Sequence, residues 1–173
     1  IGRVLIGLGL ILPALQLIVA STQPLTQSEV VRALLVALPS EILLDIFVGA
    51  LLTVASYSSL AIVLLTATLA TSGLLPTSVA LGLVVGANVG SGLLGLIATT
   101  GATPQVRRLP MGNLVFKCTG AILAIPLLPY AQTALQTHID TVHQQVVLFH
   151  LGFNIVLALA FIGTTAWLGR LLD

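Results

Sequence analysis

Apolar runs of bilayer-crossing length, broken by short polar stretches, limit what this chain can fold into more than any other feature. A membrane-spanning helix needs about 20 predominantly apolar residues. Val4–Ala20 with its flanks, Thr77–Thr99, Leu109–Tyr130 and Val146–Leu168 each reach that scale. Only 6% of the 173 residues are charged, against about 25% in ordinary soluble domains. So few charges cannot cover the surface of a soluble fold, and the sequence predicts an all-α membrane protein with the lipid bilayer as its solvent. The net charge of +1 leaves no basic patch for nucleic acid. The single cysteine, Cys118, excludes a disulfide framework or a cysteine metal site and reads as a small buried apolar residue. The histidines have no convincing ligand set beside them, and no motif points to an enzyme.

The chain opens at Ile1, and Leu17-Ile18-Val19-Ala20 lacks the small-x-small pattern of a signal-peptide cleavage site. We read it as a fragment of a longer membrane protein. Residues 21–40 are mixed. Leu25, Val30, Val31, Leu34, Leu35 and Leu38 fall near helical spacing around Gln27, Glu29 and Arg32, the pattern of a short amphipathic helix at the membrane surface. Pro39 ends it, and Ser40 stands where it could cap the next helix.

Ile42–Ala55 and Leu60–Leu75 are apolar but short, and the hydroxyl cluster Ser56-Tyr57-Ser58-Ser59 lies between them. Two short arms joined in this way predict a re-entrant hairpin over 42–75 with its tip near 56–60, since irregular backbone survives in lipid only inside protein or a wet cavity. The free N–H groups at the start of the second arm favour an anion. Serine hydroxyls can donate to phosphate oxygens or ligate a hard cation, and carbonyls freed at the end of the first arm suit Na+. Broken helices of secondary transporters combine these features. Small hydroxyl residues also serve close helix packing, and spacing alone leaves both uses open.

Gly82, Gly86 and Gly90 recur every fourth residue, a close-packing stripe. Asn88 within it needs hydrogen-bond partners, and Ser91 adds a hydroxyl, so "GANVGSG" at 86–92 reads either as packing or as a second broken segment facing the hairpin tip. It is neither a dinucleotide fingerprint nor a P-loop. His150 and Asn154 share a helix face, for an interhelical hydrogen bond or a functional inward position. Asp45, four residues after Glu41, reads as a solvated helix-start carboxylate, with a cation role as the alternative. Lys117 either snorkels or pairs with a carboxylate.

With Arg3 cytoplasmic, the first run leads out, the hairpin enters and returns, and 77–99 delivers Arg107 and Arg108 to the cytoplasm. The next span leaves His138, Asp140 and His143 outside, and the last delivers Arg170. Arg3, Arg107, Arg108 and Arg170 then share the side the positive-inside rule requires, with Arg32 the exception. This predicts four crossings of the inner (plasma) membrane with both ends cytoplasmic. Tyr130 and Trp167 fall at aromatic-belt depth, or simply pack.

"GALLTVASYSSLA" (49–61) followed by "LGLVVGANVGSGLLGLIA" (81–98) resembles the type II sodium-dependent phosphate cotransporter family, especially its bacterial branch. "RRLPMGNLVFKCTGAILAIPLL" (107–128) and "FHLGFN" (149–154) resemble the segments that follow, so the likeness covers most of the chain in matching order. It implies one half of an inverted-repeat transporter, here the second repeat, with phosphate and Na+ bound between two hairpin tips and the missing first repeat as partner. Na+ is the coupling ion, and no other cofactor is implied. The family's tip reads Gln-Ser-Ser-Ser. Aligned on Gly49, Thr53 and Ala61, this chain has Tyr57-Ser58-Ser59-Leu60, so only Ser58 and Ser59 match. Tyr57 can donate but cannot offer both an acceptor carbonyl and an amide NH2 as glutamine does. Asn88 and Ser91 match the Gly-Ala-Asn-x-Gly-Thr/Ser stretch, and Asn154 with His150 matches the His-x-x-Phe-Asn element. The implied site is Ser58, Ser59, Asn88, Ser91, Tyr57 and Asn154, with Ser58, Ser59 and Asn88 as candidate Na+ ligands. The competing readings are a secondary transporter of another small anion, and a non-transporting structural or regulatory membrane subunit.

Overall fold

The computed structural model describes residues 41–164 and scattered positions before residue 30. Most of the first apolar run, the amphipathic stretch over 21–40, and Arg3, Arg32, Ser40, Trp167 and Arg170 lie outside the described residues. Among the described residues all regular structure is helical: α1 (Ile42–Ser56), α2 (Ser59–Thr71), α3 (Thr77–Ala98), α4 (Pro104–Ala124), a 3-10 turn (Ile125–Leu127), α5 (Leu128–His138) and α6 (Val142–Phe161). α3, the stretch Pro104–His138 and α6 are long and apolar enough to cross a membrane. Outward-facing leucines and isoleucines such as Leu43, Ile122 and Leu159, about two-thirds exposed each, present the apolar surface that lipid requires.

α1 and α2 hold 15 and 13 residues, about 22 and 20 Å at the helical rise, well short of a hydrocarbon core of about 30 Å. Tyr57 and Ser58 alone link them. Tyr57 adopts the left-handed conformation (φ 55°, ψ 20°) and closes α1 by donating its N–H to the Val54 carbonyl. Ser58 is extended and caps α2, its Oγ accepting from the Ala61 N–H at 3.2 Å. A non-glycine residue in the left-handed region carries a cost of about 1 kcal/mol, and the Tyr57 side chain is 76% exposed, so little packing offsets it. Tyr57→Gly should therefore raise the thermal unfolding midpoint in detergent by the equivalent of up to about 1 kcal/mol. A lowered midpoint would show that the tyrosine ring is held by contacts outside the described residues.

Of the two readings of 86–92, the broken segment does not occur; α3 is continuous from Thr77 to Ala98. Each interior glycine costs about 1 kcal/mol of helix propensity, and close backbone packing offsets it. Gly82 lies against Asp45, Gly86 against Ile46, and Gly90 against Ala50 and Thr53. The two numbering series rise together, so α1 runs parallel to α3, and α2 returns between their ends. The approach is backbone to backbone: a Cβ on Gly90 would sit 2.6 Å from the Ala50 carbonyl oxygen. The packing reading of the glycine stripe is thus the observed one. Gly73, at φ 73° in the α2–α3 turn, supplies the positive φ that lets the chain reverse there.

α4 runs antiparallel to α3, with Leu114 on Gly92 and Pro110 on Gly95. Pro126 and Pro129, near the end of the apolar run Leu109–Tyr130, do not stop the helical path. Each stands in the first two positions of the segment it opens, where its missing N–H has no partner to lose. The chain turns once and continues to His138. α6 begins at Val142, four residues earlier than its apolar run, because Gln145 is drawn in by donating to the Ile139 carbonyl at 2.7 Å. Val146 is fully buried in the core formed with Ile62, Val63, Ala67, Val84 and Ala87 of α2 and α3. This order places Arg107 and Arg108 at one end of the bundle and Glu41, Asp45 and Asp140 at the other. Lys117 lies between the two ends, mid-way along its helix.

Candidate functional site

α3 presents two different faces. The glycines meet α1; Asn88, two residues or about 200° from Gly90, faces the opposite way and meets α6. It is 1% exposed. Its hydrogen bonds fix one another's polarity. The His150 carbonyl can only accept, and Asn154 Nδ2 donates to it at 2.8 Å. The same Nδ2 donates to Asn88 Oδ1 at 2.9 Å. Asn88 Nδ2 then donates to the Val84 carbonyl at 3.0 Å and to His150 Nδ1 at 3.2 Å. His150 Nδ1 is therefore the acceptor, and the neutral imidazole carries its proton on Nε2. Of the two uses open for His150 and Asn154, the interhelical hydrogen bond is present.

One turn along, the Ser91 hydroxyl donates to the Asn88 carbonyl at 2.8 Å. Its remaining lone pairs accept from the Lys117 ammonium of α4. Lys117 thus neither snorkels nor pairs with a carboxylate; no carboxylate faces it among the described residues. Lys117 and Asn154 border a cleft of about 360 Å³ between α4 and α6, with Asn113 at its rim. Phe116 and Phe161, stacked with ring centroids 4.4 Å apart, wall one side. The cleft pairs a half-buried ammonium with amide groups in apolar walls, which suits a small anion.

The sequence-predicted residues divide into two groups. Asn88, Ser91 and Asn154 come together in one network. Tyr57, Ser58 and Ser59 form the hairpin link, and no hydrogen bond joins them to that network among the described residues. The tip therefore does not face "GANVGSG" as a whole: α1 meets its glycines, and its asparagine turns to α6. Ser58 spends its hydroxyl on the helix cap. Ser56 reaches the Thr53 and Ser58 carbonyls at 3.4 and 3.3 Å. Two residues escaped the sequence reading as site members. Lys117 had a visible signal, a lone cation inside an apolar run. Thr53 had none. It is fully buried against Gly90 one turn before the tip, and its Oγ1 has no hydrogen-bond partner among the described residues, a cost of about 1–3 kcal/mol for a hydroxyl.

The Na+/Pi-cotransporter family model matches residues 10–164. A relative from Escherichia coli O157:H7 named "Putative inorganic phosphate export protein YjbB" is 43% identical over 162 residues, covering 94% of this chain and 30% of its own length. The Salmonella typhimurium protein of the same name is 43% identical over 163 residues with the same coverage. The chain spans about three-tenths of the length of these curated relatives. No solved structure matches it. Because the family match runs unbroken through the hairpin, α3, α4 and α6, the chain belongs to the Na+/Pi-cotransporter family.

Proposed function

We propose that the chain is one half of an inverted-repeat domain that carries inorganic phosphate across the inner membrane with Na+ as coupling ion, the first repeat completing the site. The observation that carries this reading is Lys117. An ammonium at mid-helix depth, hydrogen-bonded to Ser91 and facing no carboxylate among the described residues, suits an anion, and intramembrane ionisable groups mark substrate paths. In this reading the Lys117 ammonium holds phosphate oxygens, while Ser91 and Asn154, whose O–H and N–H groups are already donated, position it. Asn88, engaged by Val84, His150 and Asn154, holds this network together, and its Oδ1 keeps one lone pair, the donor that a Na+ ligand would use. Ser58 and Ser59, with Tyr57 and the hydroxyl of Thr53 nearby, form the end of a re-entrant hairpin that takes Na+ with the first repeat. Rocking of the hairpin against α3 alternates access to the site. The basic end with Arg107 and Arg108 is cytoplasmic by the positive-inside rule.

Another small oxyanion would meet the same ammonium; the phosphate in the relatives' printed name favours phosphate. Uptake of labelled phosphate into proteoliposomes containing the full-length parent decides between them. The expected result is flux that depends on Na+ and is competed by unlabelled phosphate but not by sulfate. Flux indifferent to Na+ and to phosphate competition would sink the reading. Replacing Ser58 and Ser59 together by alanine should lower the flux at least about tenfold, equivalent to 1.4 kcal/mol. Full flux in that double variant would return the serines to a packing role and support a non-transporting account of the hairpin.

A further inference from the structure

The transport site leaves one buried charge unused. Asp45, in the first turn of α1, is not the solvated helix-start carboxylate that the sequence suggested; it is 9% exposed. Its side chain lies in the space left by the absent side chain of Gly82. A Cβ there would stand 2.7 Å from Asp45 Cβ and 3.1 Å from Oδ2. The carboxylate borders a cavity of about 280 Å³ that it shares with Ser78 of α3 and Gln132 of α5, between apolar walls of Ile42, Leu81 and Leu128. No hydrogen bond or ion pair engages the carboxylate among the described residues. Nor do the packed elements offer a counter-charge: α2 and α3 carry no ionisable side chain, α5 carries Tyr130, which is exposed, and His138 at its far end, and Glu41 stands just before α1. Lys117 is committed to Ser91, further along the bundle.

A carboxylate taken out of water with no partner costs several kcal/mol. A hard cation offers the remedy: Asp45, Ser78 and Gln132 line one cavity, and carboxylate, hydroxyl and amide oxygens suit Na+. The geometry points to a Na+ site formed by Asp45, Ser78 and Gln132, between the root of the hairpin and α5, separate from the hairpin tip. This deepens the Na+-coupled reading above by giving the chain a cation site of its own. Because α1 and α5 both contribute, an occupied site ties the base of the hairpin to the outer part of the α4–α5 helix.

The test is equilibrium binding of radioactive sodium to the full-length protein in detergent, without phosphate, so that it does not depend on the identity of the anion. Asp45→Asn keeps the shape and removes the charge. It should weaken Na+ binding at this site at least about tenfold, while Asp45→Glu and Ser78→Ala weaken it less. Phosphate flux at saturating Na+ should then persist in Asp45→Asn, with a raised Na+ requirement. Size-exclusion elution and melting midpoint establish that each variant is folded; if Asp45→Asn is not, Gln132→Leu takes its place with the same expected loss. Unchanged sodium binding in the folded variants, or a wild-type protein that binds no sodium, would overturn the assignment. If the wild type shows no phosphate flux yet loses sodium binding on Asp45→Asn, the cation site stands and the phosphate reading falls.

Discussion

Replacing Lys117 by glutamine should raise the phosphate concentration for half-maximal flux by about tenfold to a hundredfold. A hydrogen bond to a charged group contributes about 1.5–3 kcal/mol, and each 1.4 kcal/mol is tenfold in affinity. The ammonium lies in low-dielectric surroundings between α4 and α6, where its attraction for an anion is least screened. Lys117→Arg keeps the charge but replaces a compact ammonium with a planar fork, so it should recover part of the affinity and not all. The fold should not suffer in Lys117→Gln or Lys117→Met, because removing an unpaired buried cation also removes its desolvation penalty. A lysine needed only for packing would give the opposite pattern: a lower melting midpoint and unchanged phosphate dependence. Flux measured against phosphate concentration, together with melting in detergent, separates the two.

The second large effect is on folding. Gly86→Ala should destabilise the protein by about 1–3 kcal/mol, the range for overpacking a tight contact, and Gly86→Leu should release α1 from α3. A Cβ on Gly86 would meet the Ile46 backbone, 2.8 Å from its carbonyl carbon and 2.9 Å from its Cα, where carbon atoms normally rest about 3.5–4.0 Å apart. The clash is with main chain, so no rotamer change relieves it. Gly152 on α6 is the internal control, since nothing lies within 4 Å of a Cβ placed there. Gly152→Ala should leave stability unchanged or raise it by up to about 1 kcal/mol through helix propensity. Equal melting midpoints for Gly86→Ala and the wild type would show that α1 is free to shift on α3.

Local patterns were legible in the sequence, and relations between distant segments were not. Arm length and the hydroxyl cluster located the α1–α2 link within a residue, because a turn of two residues is a local event. The four-residue glycine spacing identified a packing stripe, but not that the helix would run through it unbroken. Continuity depends on α1 approaching close enough to offset the glycine cost, a tertiary effect outweighing propensity. That Pro126 and Pro129 each fall at the start of a new turn could not be read from the sequence either. Asn88, Asn154 and His150 could be recognised as polar groups needing partners in lipid, and they found one another. The partner of Lys117 could not be read, since Ser91 lies 26 residues away and on another helix. Asp45 was misjudged for the same reason: α5 closes its cavity, and α5 reaches it only because the chain continues past the prolines.

The two-faced character of α3 has a mechanical consequence. On the side of α1, backbone lies against backbone over glycine, and the Asp45 and Thr53 side chains fill the space that side chains on Gly82 and Gly90 would take. On the side of α6, the amides of Asn88 and Asn154 hold their partners by directional bonds that an axial slide would break. The first contact is thus held by closeness of fit and the second by bonds of fixed direction. Any loss of fit at a glycine would loosen the hairpin from α3 while leaving α3 and α6 joined through their amides.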